Sequence, residues 1–187
     1  MNLPNKLTII RIILVPVFLV FYLIPFSKWN FLIATVIFIV ASLTDWLDGA
    51  IARKRNLVTN FGKFADPLAD KLLVCSAFIA FVSLGQMPAW ICIVIIARER
   101  AIEGFRLICV EQGIIVAASV WGKVKTWSHI VFIVMTTLNV TFYLGDIAPG
   151  LCNVFEIARI VVMYIALILT ILSFVDYIYK NRQVLKQ

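Results

Sequence analysis

Charged residues are scarce in this chain. They make up 14% of its 187 residues, and 63% of the residues are hydrophobic. In soluble globular proteins about a quarter of the residues are charged. These proportions argue against a soluble domain and place the chain in a lipid bilayer. No alternation of polar and apolar residues typical of a membrane barrel is present, so the expected spans are helices, whose backbone groups satisfy one another.

Thiols and imidazoles are too few and too scattered to hold zinc. The cysteines lie in or beside apolar runs, without a C-x-x-C or mixed Cys/His spacing, at positions Cys75, Cys92, Cys109 and Cys152. We expect reduced, packed thiols, with neither a disulfide framework nor a zinc site. His129 is the one histidine, and it is expected to be a packed or hydrogen-bonded side chain.

The apolar stretches predict an all-α, polytopic membrane protein with about six transmembrane helices, at about 20 residues per crossing. No Pro/Gly/Ser-rich linker, repeat or low-complexity tract divides residues 1–187, which are predicted to form one domain. The helices are expected near residues 7–25, 30–50, 68–85, 88–110, 121–144 and 153–178.

Most of the basic residues fall on one side of this arrangement. The opposite side carries Lys28 and Arg159, and Arg159 is expected to pair with Glu156 one helical turn earlier. The positive-inside rule makes the basic side and both termini cytoplasmic, so we expect a multi-pass protein of a bacterial-type inner membrane. The net charge of +7 forms a collar suited to anionic membrane lipids, and not to nucleic acid.

Four of the ten acidic residues lie within 26 positions. Asp45 and Asp48 (i, i+3) end the second helix and Asp66 and Asp70 (i, i+4) begin the third, so each pair shares a helical face and a hairpin brings the pairs together. Charges in so apolar a chain are costly unless they have a function. Crowded carboxylates call for bound cations or shared protons, and oxygen ligands suit Mg²⁺ or Mn²⁺, with two ions balancing the four charges.

A structural explanation covers part of this cluster. Asp66 directly precedes Pro67, the form of a helix N-cap followed by proline at the first helical position, so capping alone would explain it. Capping does not explain Asp45 and Asp48, which are predicted near a helix C-terminus, where the helix dipole disfavours anions. Nor does it explain Asp70, a full turn beyond the proposed cap.

The carboxylates belong to a longer pattern, D-x2-D-G-x2-A-R-x8-G-x3-D-x3-D, which runs from residue 45 to residue 70. The pattern resembles the signature of the CDP-alcohol phosphotransferase family at all eight fixed positions. The resemblance implies that family's fold, with the active site at the cytoplasmic interface, and a metal-dependent enzyme that joins a CDP-linked alcohol to a second alcohol and releases CMP.

The resemblance also implies roles for the eight residues. Asp45, Asp48 and Asp66 would hold the metal ions, with Asp70 as a further ligand or as the base that takes the acceptor hydroxyl's proton. The cytidine diphosphate pocket would be lined by Gly49, Ala52, Arg53 and Gly62. Turn or packing glycines are an equally good explanation of the two glycines taken singly, although glycine also allows a phosphate to approach the backbone.

Basic residues on the fourth and fifth helices indicate a phosphorylated acceptor, since several positive charges facing one site favour an anion. The segments 97–106 and 122–126, and the opening P-N-x-L-T-x-x-R of residues 4–11, resemble acceptor-side segments of family members that use sn-glycerol 3-phosphate. The implied reaction transfers the phosphatidyl group of CDP-diacylglycerol to this acceptor, giving phosphatidylglycerol phosphate and CMP, and the resemblance implies a homodimer. The acceptor phosphate would be held by Arg98, Arg106, Lys123 and Lys125.

Several of these residues have a second explanation. Each of the four cations taken alone is equally explained by snorkelling or topology. Lys123 and Lys125 stand at i and i+2 on different faces, so one of them is expected to meet lipid head groups. Asn5, Thr8 and Arg11 follow one another at intervals of three residues, on one helical face, and are expected near the substrates. The alternative is that they mark a helix start with an interfacial arginine.

Other functions remain open at this point. Within the family, the acceptor could be inositol phosphate, phosphatidylglycerol or serine. A cation-coupled transporter would place its carboxylates along a path near the bilayer midplane, whereas these four are predicted at one interface.

Arg100 and Glu103 lie one turn apart and are expected to form an ion pair.

Overall fold

The computed structural model describes residues 3–24, 26–27, 29–54, 60–111, 120–144 and 149–182. Within these ranges the chain forms six helices and no strand: α1 Leu3–Leu23, α2 Asn30–Lys54, α3 Asn60–Ser83, α4 Ala89–Glu111, α5 Val120–Leu144 and α6 Pro149–Lys180. The predicted all-α fold is therefore confirmed.

The third helix begins earlier than its apolar stretch suggested. It starts at Asn60, and not near residue 68, so Asp66 and Pro67 lie inside the helix and the N-cap explanation of Asp66 is wrong. Ala65 and Ala69 on either side are both buried. The helix continues through this turn even though Pro67 lacks an N–H for the helical ladder.

An aromatic core joins α1, α2, α3 and α5. Phe18 of α1 meets Phe38 of α2 with ring centroids 5.9 Å apart, and Phe81 of α3 meets Phe132 of α5 edge-on at 5.8 Å. Buried alanines, such as Ala41 of α2, allow the helix backbones to approach closely. This packing positions the parts of α2 and α3 that carry the acidic residues, together with the neighbouring start of α1.

The outward faces of the helices are apolar. Ile13, Ile79, Ile93 and Ile168 expose 57%, 58%, 65% and 54% of their surface, respectively, which suits contact with lipid. In the described part of the chain, the segments Asn5–Leu23 and Asn153–Lys180 are long and apolar enough to cross a bilayer, and Asn30–Asp45 is a shorter apolar helix. These features agree with the predicted membrane location.

A polar cluster ties four elements together at the end of the bundle away from the acidic residues. Buried Arg159 of α6 donates from Nε to Glu156 Oε2 at 3.0 Å and from Nη1 to the backbone carbonyl of Gln86 at 2.5 Å. Glu156 also accepts from Asn139 Nδ2 of α5 at 2.8 Å, and Tyr22 of α1 donates to the Gln86 side chain. The predicted Arg159–Glu156 pair is confirmed.

The histidine is packed inside the bundle, and the described cysteines are free thiols. His129 is buried, with Nε2 3.0 Å from Thr170 Oγ1 and its ring edge-on to Phe78, as predicted. The free thiols among the described side chains are those of Cys75, Cys92 and Cys109; Cys152 lies in α6, with its side chain outside the described part.

Candidate active site

Acidic side chains from α2 and α3 converge. Asp45 near the end of α2 lies close enough to Asp66 and Asp70 of α3 for charge interactions with both. Asp45 lies in the C-terminal half of α2, and Asp66 and Asp70 lie in the N-terminal half of α3, so the packing of these two helices brings the carboxylates together. The side chain of Asp45 is 42% exposed, so the group can be reached from outside the bundle.

The start of α1 supplies polar partners to this acidic group. Arg11 is fully buried; its Nη1 lies 2.7 Å from Asp45 Oδ1, and its Nε donates to the carbonyl of Ala41 at 3.3 Å. Thr8 Oγ1 donates to Asp66 Oδ1 at 2.5 Å, and Asn5 is buried on the same face of α1. Because Arg11 is buried, the alternative of an interfacial arginine is wrong.

The remaining residues of the pattern are only partly described. Gly62 is buried. Asp48, Gly49, Ala52 and Arg53 lie in α2, but their side-chain surroundings lie outside the described part of the structure.

The donor chemistry of the acidic group suits a hard divalent ion. The side chains described by the structure contain no group of three or more His, Cys, Asp or Glu residues close enough to hold a metal ion. The side chain of Asp48 lies outside this described part. Asp45, Asp66 and Asp70 nevertheless offer only carboxylate oxygens, which are ligands that Mg²⁺ and Mn²⁺ prefer. Arg11 offsets only one of the three negative charges.

A cavity of about 250 Å³ opens between α3, α4, α5 and α6. The structure brings all four predicted acceptor-binding cations to its wall, where they are joined by one more lysine; these residues are Lys71, Arg98, Arg106, Lys123 and Lys125. The wall also contains Glu99 and Glu103, so its formal net charge is +3. Asp70 interacts electrostatically with Lys125 and Glu99, which places the acidic group beside this cavity.

Ion pairs organise the cavity wall. Glu99 Oε1 accepts from Arg98 Nη1 at 3.0 Å and also pairs with Lys125. Glu103 pairs with Lys71 of α3 and with Arg100 Nη1 at 2.8 Å. The predicted Arg100–Glu103 pair is therefore confirmed, and the second partner, Lys71, ties α4 to α3.

Lys123 and Lys125 both reach the cavity. Lys125 is buried, whereas Lys123 is exposed, and both line the wall. Both side chains reach the cavity although they start from different helical faces, because a long, flexible lysine side chain can bend toward it. That one of the two also meets lipid head groups stays a prediction.

Sequence reasoning missed part of this site. Lys71 lines the cavity, and its position one residue after Asp70 carries no motif of its own. Glu99 and Glu103 also line it; both lie inside the segment 97–106, but the sequence assigned only the cations of that segment to the acceptor. Tyr177 also lines it, from the far end of α6, about a hundred residues from the acidic pattern. Only the fold brings it there.

The helical membrane fold, the converging carboxylates and the adjoining cationic cavity together define a membrane enzyme of phosphoryl-transfer chemistry. The family model described as CDP-alcohol phosphatidyltransferase matches residues 1–172, and the chain belongs to this family, as the resemblance predicted.

Relatives align along nearly the whole chain. A Bacillus subtilis protein named CDP-diacylglycerol–glycerol-3-phosphate 3-phosphatidyltransferase is 42% identical over 99% of this chain and 97% of its own length. A Haemophilus influenzae protein of the same name is 40% identical over 95% and 91%, respectively. A Mycobacterium tuberculosis protein named probable phosphatidylglycerophosphate synthase is 37% identical over 95% and 80%.

Proposed function

We propose that this protein transfers the phosphatidyl group of CDP-diacylglycerol to sn-glycerol 3-phosphate, giving phosphatidylglycerol phosphate and CMP. The observation that carries the proposal is the position of the acidic group beside a cavity of net charge +3. The acidic group suits metal-assisted transfer from a pyrophosphate, and the cationic cavity suits a small anionic acceptor. The names of the aligned relatives support the same pair of substrates.

The proposal includes two divalent ions, Mg²⁺ or Mn²⁺, held by Asp45, Asp48, Asp66 and Asp70. When bound, such ions neutralise charge on the pyrophosphate oxygens and on the departing CMP. The supporting observations are the all-oxygen donor set and the buried Arg11 guanidinium that faces it. Thr8 and Arg11 hold Asp66 and Asp45 in place, and Asn5 lies on the same buried face of α1.

The nucleotide-activated lipid would bind along α2 and the start of α3. Gly49, Ala52, Arg53 and Gly62 would line the cytidine diphosphate pocket, where small residues allow close approach of the phosphates to the backbone. The acyl chains would remain in lipid against the exposed apolar faces of the helices. The supporting observation is that Gly62 is buried in the same helix as Asp66 and Asp70.

The acceptor would bind in the cationic cavity, with Arg98, Arg106, Lys123 and Lys125 around its phosphate. Asp70 would take the proton of the attacking hydroxyl. That oxygen would form a bond to the phosphorus that carries diacylglycerol, the bond from this phosphorus to the CMP oxygen would break, and CMP would leave with the electron pair. No covalent enzyme intermediate is needed.

We also infer a multi-pass protein of a bacterial-type inner membrane, with six crossings, both termini cytoplasmic, and a homodimeric assembly. The even number of helices in the described ranges supports termini on one side, and the basic residues near the acidic group support a cytoplasmic site.

A reaction panel tests the proposed function. Purified protein would be incubated with CDP-diacylglycerol, Mg²⁺ or Mn²⁺, and each of four acceptors: sn-glycerol 3-phosphate, inositol phosphate, phosphatidylglycerol and serine. We expect CMP release with sn-glycerol 3-phosphate and a lipid product of the mass of phosphatidylglycerol phosphate. A lipid product with one of the other acceptors, and none with sn-glycerol 3-phosphate, would overturn the assignment.

A further inference from the structure

A tyrosine with a buried hydroxyl group lies in the α6 wall of the cavity. Tyr177 is only 4% exposed and lines the cavity, and its hydroxyl oxygen is buried without a hydrogen-bond partner in the described part of the chain. Its ring is held edge-on to Phe105, with centroids 5.7 Å apart. Because an unsatisfied buried hydroxyl is costly, this one calls for a partner that the described part of the chain does not supply.

A second unsatisfied donor lies in the same wall. Arg98 Nη1 donates to Glu99 at 3.0 Å, and Nη2 donates to Ser173 Oγ at 3.0 Å, while Nε is buried without a partner in the described part. Ser173 and Tyr177 are one turn apart on α6, so they share a face. Arg98 therefore contacts the face of α6 that carries Tyr177, and both residues line the cavity.

The chemistry of the two groups limits what can bind them. The Arg98 Nε–H group can only donate, and a tyrosine hydroxyl can donate. A ligand that satisfies both presents acceptor oxygens. The net charge of +3 on the lining residues favours a group whose oxygens are negatively charged, and a phosphate monoester meets both conditions.

We propose that Tyr177 binds the phosphate of the acceptor substrate, donating a hydrogen bond to a phosphate oxygen beside the one that Arg98 Nε contacts. This assignment rests on the proposed function, which makes the acceptor a phosphate monoester. The same oxygen chemistry is present in the pyrophosphate of the activated lipid, so the experiment compares the two substrates.

The test is Tyr177→Phe, with Tyr179→Phe as the matched control. Tyr179 lies on the same helix, is 66% exposed, and its ring faces the Arg182 guanidinium at 4.9 Å. We expect Tyr177→Phe to raise the KM for sn-glycerol 3-phosphate by about tenfold, as for a lost hydrogen bond to a charged group, with the KM for CDP-diacylglycerol unchanged. Tyr179→Phe should change neither.

Thermal unfolding separates binding from a structural role. Without substrates, Tyr177→Phe should unfold at the wild-type temperature or above, because replacing an unpartnered hydroxyl by hydrogen removes no contact. Inorganic phosphate should raise the unfolding temperature of the wild type more than that of Tyr177→Phe.

Three results would overturn the assignment: an unchanged KM for sn-glycerol 3-phosphate, a raised KM for the lipid instead, or an equal phosphate shift in both proteins. If the wild type makes no product from sn-glycerol 3-phosphate, the proposed function fails. The phosphate shift then still decides whether Tyr177 binds phosphate.

Discussion

Arg11 Nη1 of α1 lies 2.7 Å from Asp45 Oδ1 of α2, which joins a fully buried guanidinium to a carboxylate that is 42% exposed. Removing this cation by Arg11→Met takes away the pair and the hydrogen bond to the carbonyl of Ala41. We expect a loss of about 2 kcal/mol of stability together with a large loss of turnover, because Asp45 loses its orientation. Thermal unfolding in detergent and CMP release measure the two effects.

The matched control is Lys6→Met, which removes an exposed cation of the same helix and should leave stability nearly unchanged. Equal unfolding temperatures for Arg11→Met and the wild type would contradict a stabilising role for the Arg11–Asp45 pair.

The acidic group should be essential for turnover and dispensable for folding. Asp48→Asn and Asp70→Asn each keep the shape of the side chain and remove a charge, so we expect CMP release to be abolished while the protein stays inserted and monodisperse. Asp70 is partly exposed in α3, and neutralising it relieves repulsion from Asp45.

Asp176→Asn is the control for this pair of variants. Asp176 lies on α6, outside the acidic group, and pairs with Lys180 at 2.7 Å. Its loss should leave CMP release near the wild-type rate. Near-normal turnover in Asp48→Asn or Asp70→Asn would remove that residue from the catalytic group.

Replacing the cavity cations should weaken binding of the acceptor more than binding of the lipid. We expect Lys125→Met and Arg106→Met to raise the KM for sn-glycerol 3-phosphate more than the KM for CDP-diacylglycerol. Lys123→Met should have a smaller effect than Lys125→Met, because Lys123 is exposed and Lys125 is buried, and a charge in water is screened. Initial rates with each substrate varied in turn give these constants.

Either of two results would contradict this ranking. An unchanged acceptor KM in Arg106→Met would remove that residue from the pocket. A larger effect from Lys123 than from Lys125 would mean that the exposed lysine makes the main contact.

Local patterns predicted the parts of the fold and site that depend on neighbouring residues. Apolar length predicted six helices, and i, i+3 spacing predicted the Arg159–Glu156 and Arg100–Glu103 pairs. The N-cap at Asp66 was wrong, because α3 begins at Asn60, before the apolar stretch from which its start was predicted.

Contacts between distant segments could not be predicted in this way. Tyr177 lies in an apolar helix whose pattern is that of any membrane span, and only the packing of α6 against α4 brings it to Phe105 and the cavity. The burial of Arg11 is a similar case. An arginine in the third turn of an N-terminal helix can snorkel to water, and it is the approach of α2 that makes it an internal partner of Asp45.

The polar cluster at the other end of the bundle should contribute to stability and not to catalysis. Arg159 is 7% exposed. Arg159→Met removes the hydrogen bonds that this guanidinium donates to the Gln86 carbonyl and to Glu156. We expect a loss of about 3 kcal/mol with both KM values unchanged. Arg159→Lys should recover only part of this stability, because an ammonium lacks the planar fork that contacts both groups.

Lys180→Met provides the comparison for Arg159→Met, since it removes an ion pair from an exposed surface of the same helix, where Lys180 is 60% exposed. Its cost should be within about 0.5 kcal/mol. If Arg159→Met unfolded at the same temperature as Lys180→Met, the contacts joining Gln86, Asn139 and Glu156 would not stabilise the bundle. A raised acceptor KM in Arg159→Met at wild-type stability would instead show that this end is coupled to the site.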